Sequence, residues 1–182
     1  MTDIIRFHVP AKMEYVNMVE NFSSLVSDFL KKENKSEHYS DLRAVLNEVF
    51  INVIKHSDTV IQKEVVRFQF EFDHPYFTIS VYDYGPGFQA DGHFPPYPRE
   101  IIGNRYHLRD VVDGSVGFTI SDPFTIRFYF MEKEQTDKYE KTLDQLEDHG
   151  LGISIITKLM DTVNYSYIGQ GKFDWKLVRK LN

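Results

Sequence analysis

The chain has 182 residues, of which 42% are hydrophobic and 26% charged; a chain of this length buries about 70% of its unfolded surface and sustains a core unaided, so bulk disorder is excluded. The net charge of −6, with no Lys/Arg run longer than Lys31-Lys32, argues against a partner held through nucleic-acid phosphates. There is no Cys, which removes thiolate metal sites and disulfides, and with no apolar run near the ~20 residues of a membrane span and no leader-like start the sequence reads as a soluble, cytoplasmic protein with no membrane partner.

Residues 4–9 alternate and end at Pro10, predicting a first strand. Met13, Val16, Val19, Phe22, Leu25, Val26 and Phe29 recur every three or four residues, predicting a long helix to about Lys32. After a polar linker, a second helix is expected from Ser40 or Asp41, either of which can cap it, to His56, with Leu42, Val45, Leu46, Val49 and Val53 as its apolar stripe. Residues 64–72 and 76–83 alternate as two strands, and the second stops at Gly85-Pro86-Gly87. Residues 88–149 then read as irregular, apart from a strand at 124–131. Within them Phe94-Pro95-Pro96-Tyr97-Pro98 reads as a rigid wedge more readily than as a polyproline ligand. A third helix at 150–160 and strands at 163–168 and 173–178 complete the order. Hairpin-linked strands after paired helices predict an α+β, two-layer sandwich with a largely antiparallel sheet. A doubly wound fold would need helices between successive strands.

Three groups of residues could carry chemistry. Glu48, Asn52, Lys55 and His56 share one face of the second helix. A carboxylate there can act as a base, an Asn oxygen can ligate a hard cation, and a Lys can reach a phosphate; the same spacing also suits a solvated helix face. Asp83 at a strand end can accept from a polar ligand edge, while Gly85 and Gly87 permit positive φ and close backbone approach; a simple turn would use the same residues. Gly85-Pro86-Gly87-Phe88-Gln89-Ala90 matches the dinucleotide fingerprint in letters only, because the Pro-rich segment that follows cannot be the required helix. Gly150-Leu151-Gly152, opening the third helix, can present backbone N–H groups to phosphate, or be a hinge. The seven His show no metal-ligand spacing.

Taken together and in order, these groups resemble the motifs of the GHKL (Bergerat-fold, histidine-kinase-like) ATPases. Glu48-x-x-x-Asn52-x-x-Lys55-His56 is similar to the N-box, Asp83-x-Gly85-x-Gly87-Phe88 to the first glycine box, and the segment from Gly150 to Val163 to the second. The Asn-x-x-Lys-His ending and Leu159-Met160-Asp161-x-Val163 look most like the bacterial anti-sigma-factor serine/threonine kinases. The resemblance implies one ATPase domain over residues 1–182, with a mixed, mostly antiparallel sheet, about three helices, and residues 88–149 as an enlarged lid or insertion. It implies ATP and Mg²⁺ as cofactors. Asp83 would accept from the adenine amino group, and Gly85 and Gly87 would let the backbone pass the base. Asn52 would ligate Mg²⁺, Lys55 would contact a phosphate, and Gly150, Leu151 and Gly152 would hold the β- and γ-phosphates. Glu48 would be the catalytic base.

The implied function is an ATP-dependent serine/threonine protein kinase and anti-sigma factor that phosphorylates a small anti-anti-sigma partner and sequesters a sigma factor, as a homodimer. The alternative is a nucleotide-binding regulatory module without kinase activity. A complete two-component sensor kinase is not expected, because only about 40 residues precede the N-box in this sequence and His8 falls in a strand and His38 in a linker. Three features depart from the family pattern, the first being Asp148, where many relatives have another glycine. The 62 residues between the glycine boxes exceed a short lid and should hold strands or a small subdomain of their own, and Gly169-Gln170-Gly171 lacks the usual Gly-Thr. The aromatic, Pro-rich content of the insertion marks it as a specificity element, so deleting residues 90–145 would spare ATP binding and remove partner binding.

Overall fold

In the strands Val65–Asp73, Tyr76–Tyr84 and Lys172–Lys180, at the centre of the fold, a period-two pattern decides which face is covered. The computed structural model describes residues 3–34, 41–61, 65–133 and 151–181. Within them eight strands form one sheet: β1 (Asp3–Pro10), β2 (Val65–Asp73), β3 (Tyr76–Tyr84), β4 (Arg105–Val111), β5 (Gly114–Asp122), β6 (Thr125–Glu132), β7 (Thr162–Gly169) and β8 (Lys172–Lys180). Their order is β1-β2-β3-β8-β7-β6-β5-β4, and every pairing is antiparallel. Helices α1 (Val16–Asn34), α2 (Leu42–His56) and α3 (Leu151–Leu159) complete the α+β arrangement expected from the sequence. Among the described residues no helix is long and apolar enough to cross a membrane.

The core lies between helices and sheet. Val66, Phe68 and Phe70 of β2, Phe77, Ile79 and Val81 of β3, and Phe173, Trp175 and Leu177 of β8 are all buried, each at every second position. Helix α2 meets them with Leu42, Val45, Leu46, Val49 and Val53, as its periodicity predicts, and also with Phe50. Each of these large apolar side chains contributes about 1.5–3 kcal/mol by leaving water. Helix α1 docks through Phe22, whose ring stacks on Phe7 of β1 at 4.2 Å. Asp41 occupies the N-cap position of α2, but its side chain makes no capping hydrogen bond.

The segment between the glycine boxes holds strands, as its length requires, but they continue the main sheet and do not form a lid or subdomain of their own. It supplies β4, β5 and β6, and β6 pairs with β7 from Thr125↔Ser166 to Phe128↔Val163. Phe118, Ile120, Ile126 and Phe128 are buried in the same core as the helices. Deleting residues 90–145 would therefore strip three strands and their core side chains, so the expectation that the fold and its ATP site survive this deletion is corrected. The Pro-rich stretch is a wedge, as expected: Tyr97 is buried and donates its hydroxyl to the Phe88 carbonyl at 2.8 Å. Residues 134–150 lie outside the described residues.

Candidate functional site

Strand β3 ends where α2 ends, and the backbone fixes this juxtaposition. The Tyr84 carbonyl accepts from the Asp58 N–H at 2.7 Å, and the Tyr84 N–H donates to Thr59 Oγ1 at 3.0 Å. The buried Thr59 thus ties the segment following α2 to the last residue of β3. The tie brings Asn52 and His56 of α2 beside Asp83, and the three line one cavity of about 370 Å³.

Asp83 is 3% exposed. Tyr165 of β7 donates its hydroxyl to Oδ1 at 3.1 Å and lies 3.3 Å from Oδ2, and Trp175 of β8 donates Nε1–H to Oδ2 at 3.3 Å. A carboxylate offers about four acceptor sites, so capacity remains for a ligand donor. Burial pushes the Asp83 carboxyl up to about 7, against the two hydrogen bonds that favour its ionised form. The surrounding walls are aromatic: Phe88 packs edge-on against Tyr165 at 5.5 Å and against Trp175 at 6.2 Å. Such a cavity, apolar with a few convergent polar groups, is the usual form of a small-molecule site. Tyr165 and Trp175 were not anticipated from the sequence. They stand 82 and 92 residues from Asp83, and only the β3–β8–β7 register joins them.

The two glycines after Asp83 differ. Gly87 has φ +84°, and a Cβ there would sit 2.6 Å from the Phe173 ring and 3.3 Å from Pro95. Gly85 does not use the positive φ that a glycine permits; the nearest atom to a Cβ there is the Asp58 nitrogen at 3.9 Å. Gly85 instead donates its N–H to the Gly171 carbonyl at 3.0 Å. The Gly169-Gln170-Gly171 turn, with all three residues at positive φ, therefore holds the glycine box in place without the Gly-Thr of related sequences.

At the other end of the cavity, α3 packs against α2. A Cβ at Gly152 would lie 2.5 Å from Glu48 Oε2 and 3.3 Å from Asn52 Nδ2, so this glycine lets the two helices close around both side chains. The Asn52 amide nitrogen is buried with no hydrogen-bond partner. An orphan donor of this kind costs about 1–3 kcal/mol unless a ligand accepts from it. It suits a phosphate oxygen and leaves Oδ1 for a hard cation. Among the described residues no cluster of three or more His, Asp or Glu could hold a metal, so a cation at Asn52 would take its other ligands from phosphate and water.

Glu48 is half-buried beneath Gly152 rather than in the cavity wall. Burial raises its carboxyl above the ordinary range, with the positive charge of Lys55 opposing. Lys55 is exposed and lines no part of the cavity, whereas His56 does. Leu151 is the first residue of α3, and Gly150 lies outside the described residues. The structure therefore gathers Asn52, Asp83, Gly85 and Gly87 around one cavity, places Glu48 and Gly152 directly behind Asn52, and leaves Lys55 outside. Leu108 and Arg109 of β4 and Val116 of β5 add a wall from strands that the sequence requires within residues 88–149 but does not locate.

A family model described as the histidine kinase-like ATPase domain matches residues 10–173. The chain has no match among curated proteins.

Proposed function

Because the chain belongs to the histidine kinase-like ATPase domain family, we propose that it binds ATP in the cavity between α2, α3 and the β3 end of the sheet, and that it acts as a serine/threonine kinase and anti-sigma factor on a small anti-anti-sigma partner. The observation that carries the nucleotide reading is Asp83: a buried carboxylate, braced by Tyr165 and Trp175, at the floor of an aromatic cavity. Its free acceptor capacity suits the exocyclic amine of adenine. Phe88, half-buried in the cavity wall, suits apolar contact with the base.

The residues present fit Mg²⁺ and the phosphates. Asn52 would hold the cation and Gly152 would admit the phosphates at the start of α3, where backbone N–H groups are unsatisfied. Bound Mg²⁺ would supply neutralisation of the phosphate charge, the main requirement of phosphoryl transfer. Glu48, with its carboxyl raised by burial, would take the proton of the attacking hydroxyl; such a base contributes typically ~10²–10⁴-fold. Lys55, exposed on α2, acts on Glu48 through its charge rather than on a phosphate in the cavity wall.

A second reading, a nucleotide-binding regulator without kinase activity, is favoured by one observation: Glu48 lies behind Asn52 and not in the cavity wall. Glu48→Gln separates the two. On the kinase reading the variant binds ATP as wild type does and loses phosphotransfer to the partner. On the second reading it leaves partner regulation unchanged.

A further inference from the structure

Strand β4 carries an irregularity that re-aims a cation. Tyr106 faces Phe118 and His107 pairs with Gly117, but the next pair is Arg109↔Val116, so Leu108 is one residue too many for the ladder. Tyr106 and Val111 are five residues apart, and simple alternation would put them on opposite faces. The bulge restores Val111, 4% exposed, to the inner face alongside Tyr106, whose ring stacks on Phe118 at 5.1 Å. It does so by turning Leu108 and Arg109 to the same side, opposite the fully buried Val116. Both then line the cavity that holds Asp83. Without the bulge Arg109 would follow Arg105 and His107 onto the outer face.

The neighbouring charges leave Arg109 available. Asp110 points to the outer face and pairs with His107 at 3.7 Å. Among the described residues Arg109 makes no hydrogen bond or ion pair. Among the described residues the other ionisable groups in the cavity wall, apart from the tyrosine phenols, are Asp83 and His56. Four strands separate β3 from β4 in the sheet order, so Asp83 and Arg109 bound the cavity from opposite sides. On the reading above, a ligand with its base at Asp83 and its phosphates at Asn52 and the start of α3 would carry its charged portion toward the helix that packs on β5 and β6. A guanidinium is the side chain best matched to phosphate oxygens, because its planar fork donates two parallel hydrogen bonds.

We propose that Arg109, turned inward by the β4 bulge, is a polyphosphate-binding residue of this site, supplied by the strands inserted between the glycine boxes. The assignment rests on the nucleotide reading above and adds to it: these strands contribute to ligand recognition and are not only scaffold. It also makes the site selective for nucleotides carrying two or three phosphates over nucleosides.

The test is isothermal titration calorimetry on the full chain with adenosine, ADP and ATP, for wild type, Arg109→Gln and Arg109→Lys, with thermal melts to confirm folding. Loss of a charge-assisted hydrogen-bonding pair weakens ATP binding by about 10- to 100-fold in Arg109→Gln, leaves adenosine within about twofold, and is partly reversed in Arg109→Lys by charge without the fork. Unchanged ATP affinity in Arg109→Gln, or equal weakening of adenosine and ATP, overturns the assignment while leaving the nucleotide site standing. Wild type that binds none of the three overturns the nucleotide reading and the Arg109 assignment with it.

Discussion

Gly85 and Gly87 look equivalent in the sequence, yet alanine at the two positions should have very different costs. At Gly87 the backbone is left-handed, φ +84°, which costs a residue with a Cβ about 1–2 kcal/mol. The new methyl would also sit 2.6 and 2.7 Å from two atoms of the Phe173 ring. That ring cannot yield easily: it is 2% exposed and stacks on Tyr165 at 4.6 Å with 6° between planes. Overpacking of this kind adds about 1–3 kcal/mol, for a total of about 2–5 kcal/mol. At about 2–4 °C per kcal/mol for a chain of this size, Gly87→Ala should melt about 4–20 °C below wild type. Gly85→Ala meets nothing nearer than 3.9 Å at an ordinary φ, and should stay within about 1 kcal/mol. Urea denaturation with the midpoint and slope fitted separately reads both changes. Equal effects at the two positions, or Gly87→Ala within 1 kcal/mol of wild type, would refute the packing argument.

Two further predictions concern the same cavity. Gly152→Ala gains helix propensity of about 1 kcal/mol but pushes the Glu48 carboxylate by roughly 1 Å, so thermal stability should hold within a few degrees while any Glu48-dependent turnover of Mg-ATP falls by up to ~10²-fold; a large loss of stability would show that Glu48 cannot move. Asp83 has its carboxyl raised from 3.8 to about 7, so the folded state binds the extra proton between these values. Its stabilising contribution is complete below about pH 4 and is lost as pH rises through about 7, and Asp83→Asn should flatten this dependence in melts from pH 5 to 8. If the base needs the ionised carboxylate, adenosine affinity should rise about tenfold from pH 6 to 8 in wild type and stay level in Asp83→Asn.

The elements were legible where periodicity was uninterrupted. The α2 stripe and the alternation of β2, β3, β7 and β8 place those elements within a residue or two of their observed ends. Strands β4 and β5 were hidden by two local features. The bulge at Leu108 breaks the alternation of β4, and Gly114 and Gly117 read as punctuation in β5. Both glycines lie inside the strand because Phe130 and Tyr129 of β6 fill the space a Cβ would take. The site divides in the same way. Asn52, Asp83 and Gly87 sit in short motifs that can be read locally. Tyr165, Trp175 and Arg109 reach the cavity only through strand pairing across the sheet, which no local pattern encodes. The inward phase of Val163, Tyr165 and Tyr167, and of Phe173, Trp175 and Leu177, was the available signal for the first two.

The central claim is that Asp83 is the base acceptor of an ATP site. It is tested most directly by the thermal shift of wild type and Asp83→Asn with ATP and ADP, each with and without Mg²⁺. At a hundred times its dissociation constant a ligand adds about 2.7 kcal/mol, several degrees for this chain. A Mg²⁺-dependent shift in wild type that is reduced or lost in Asp83→Asn is the predicted result. An equal shift in both proteins, or none in wild type under any condition, would contradict it.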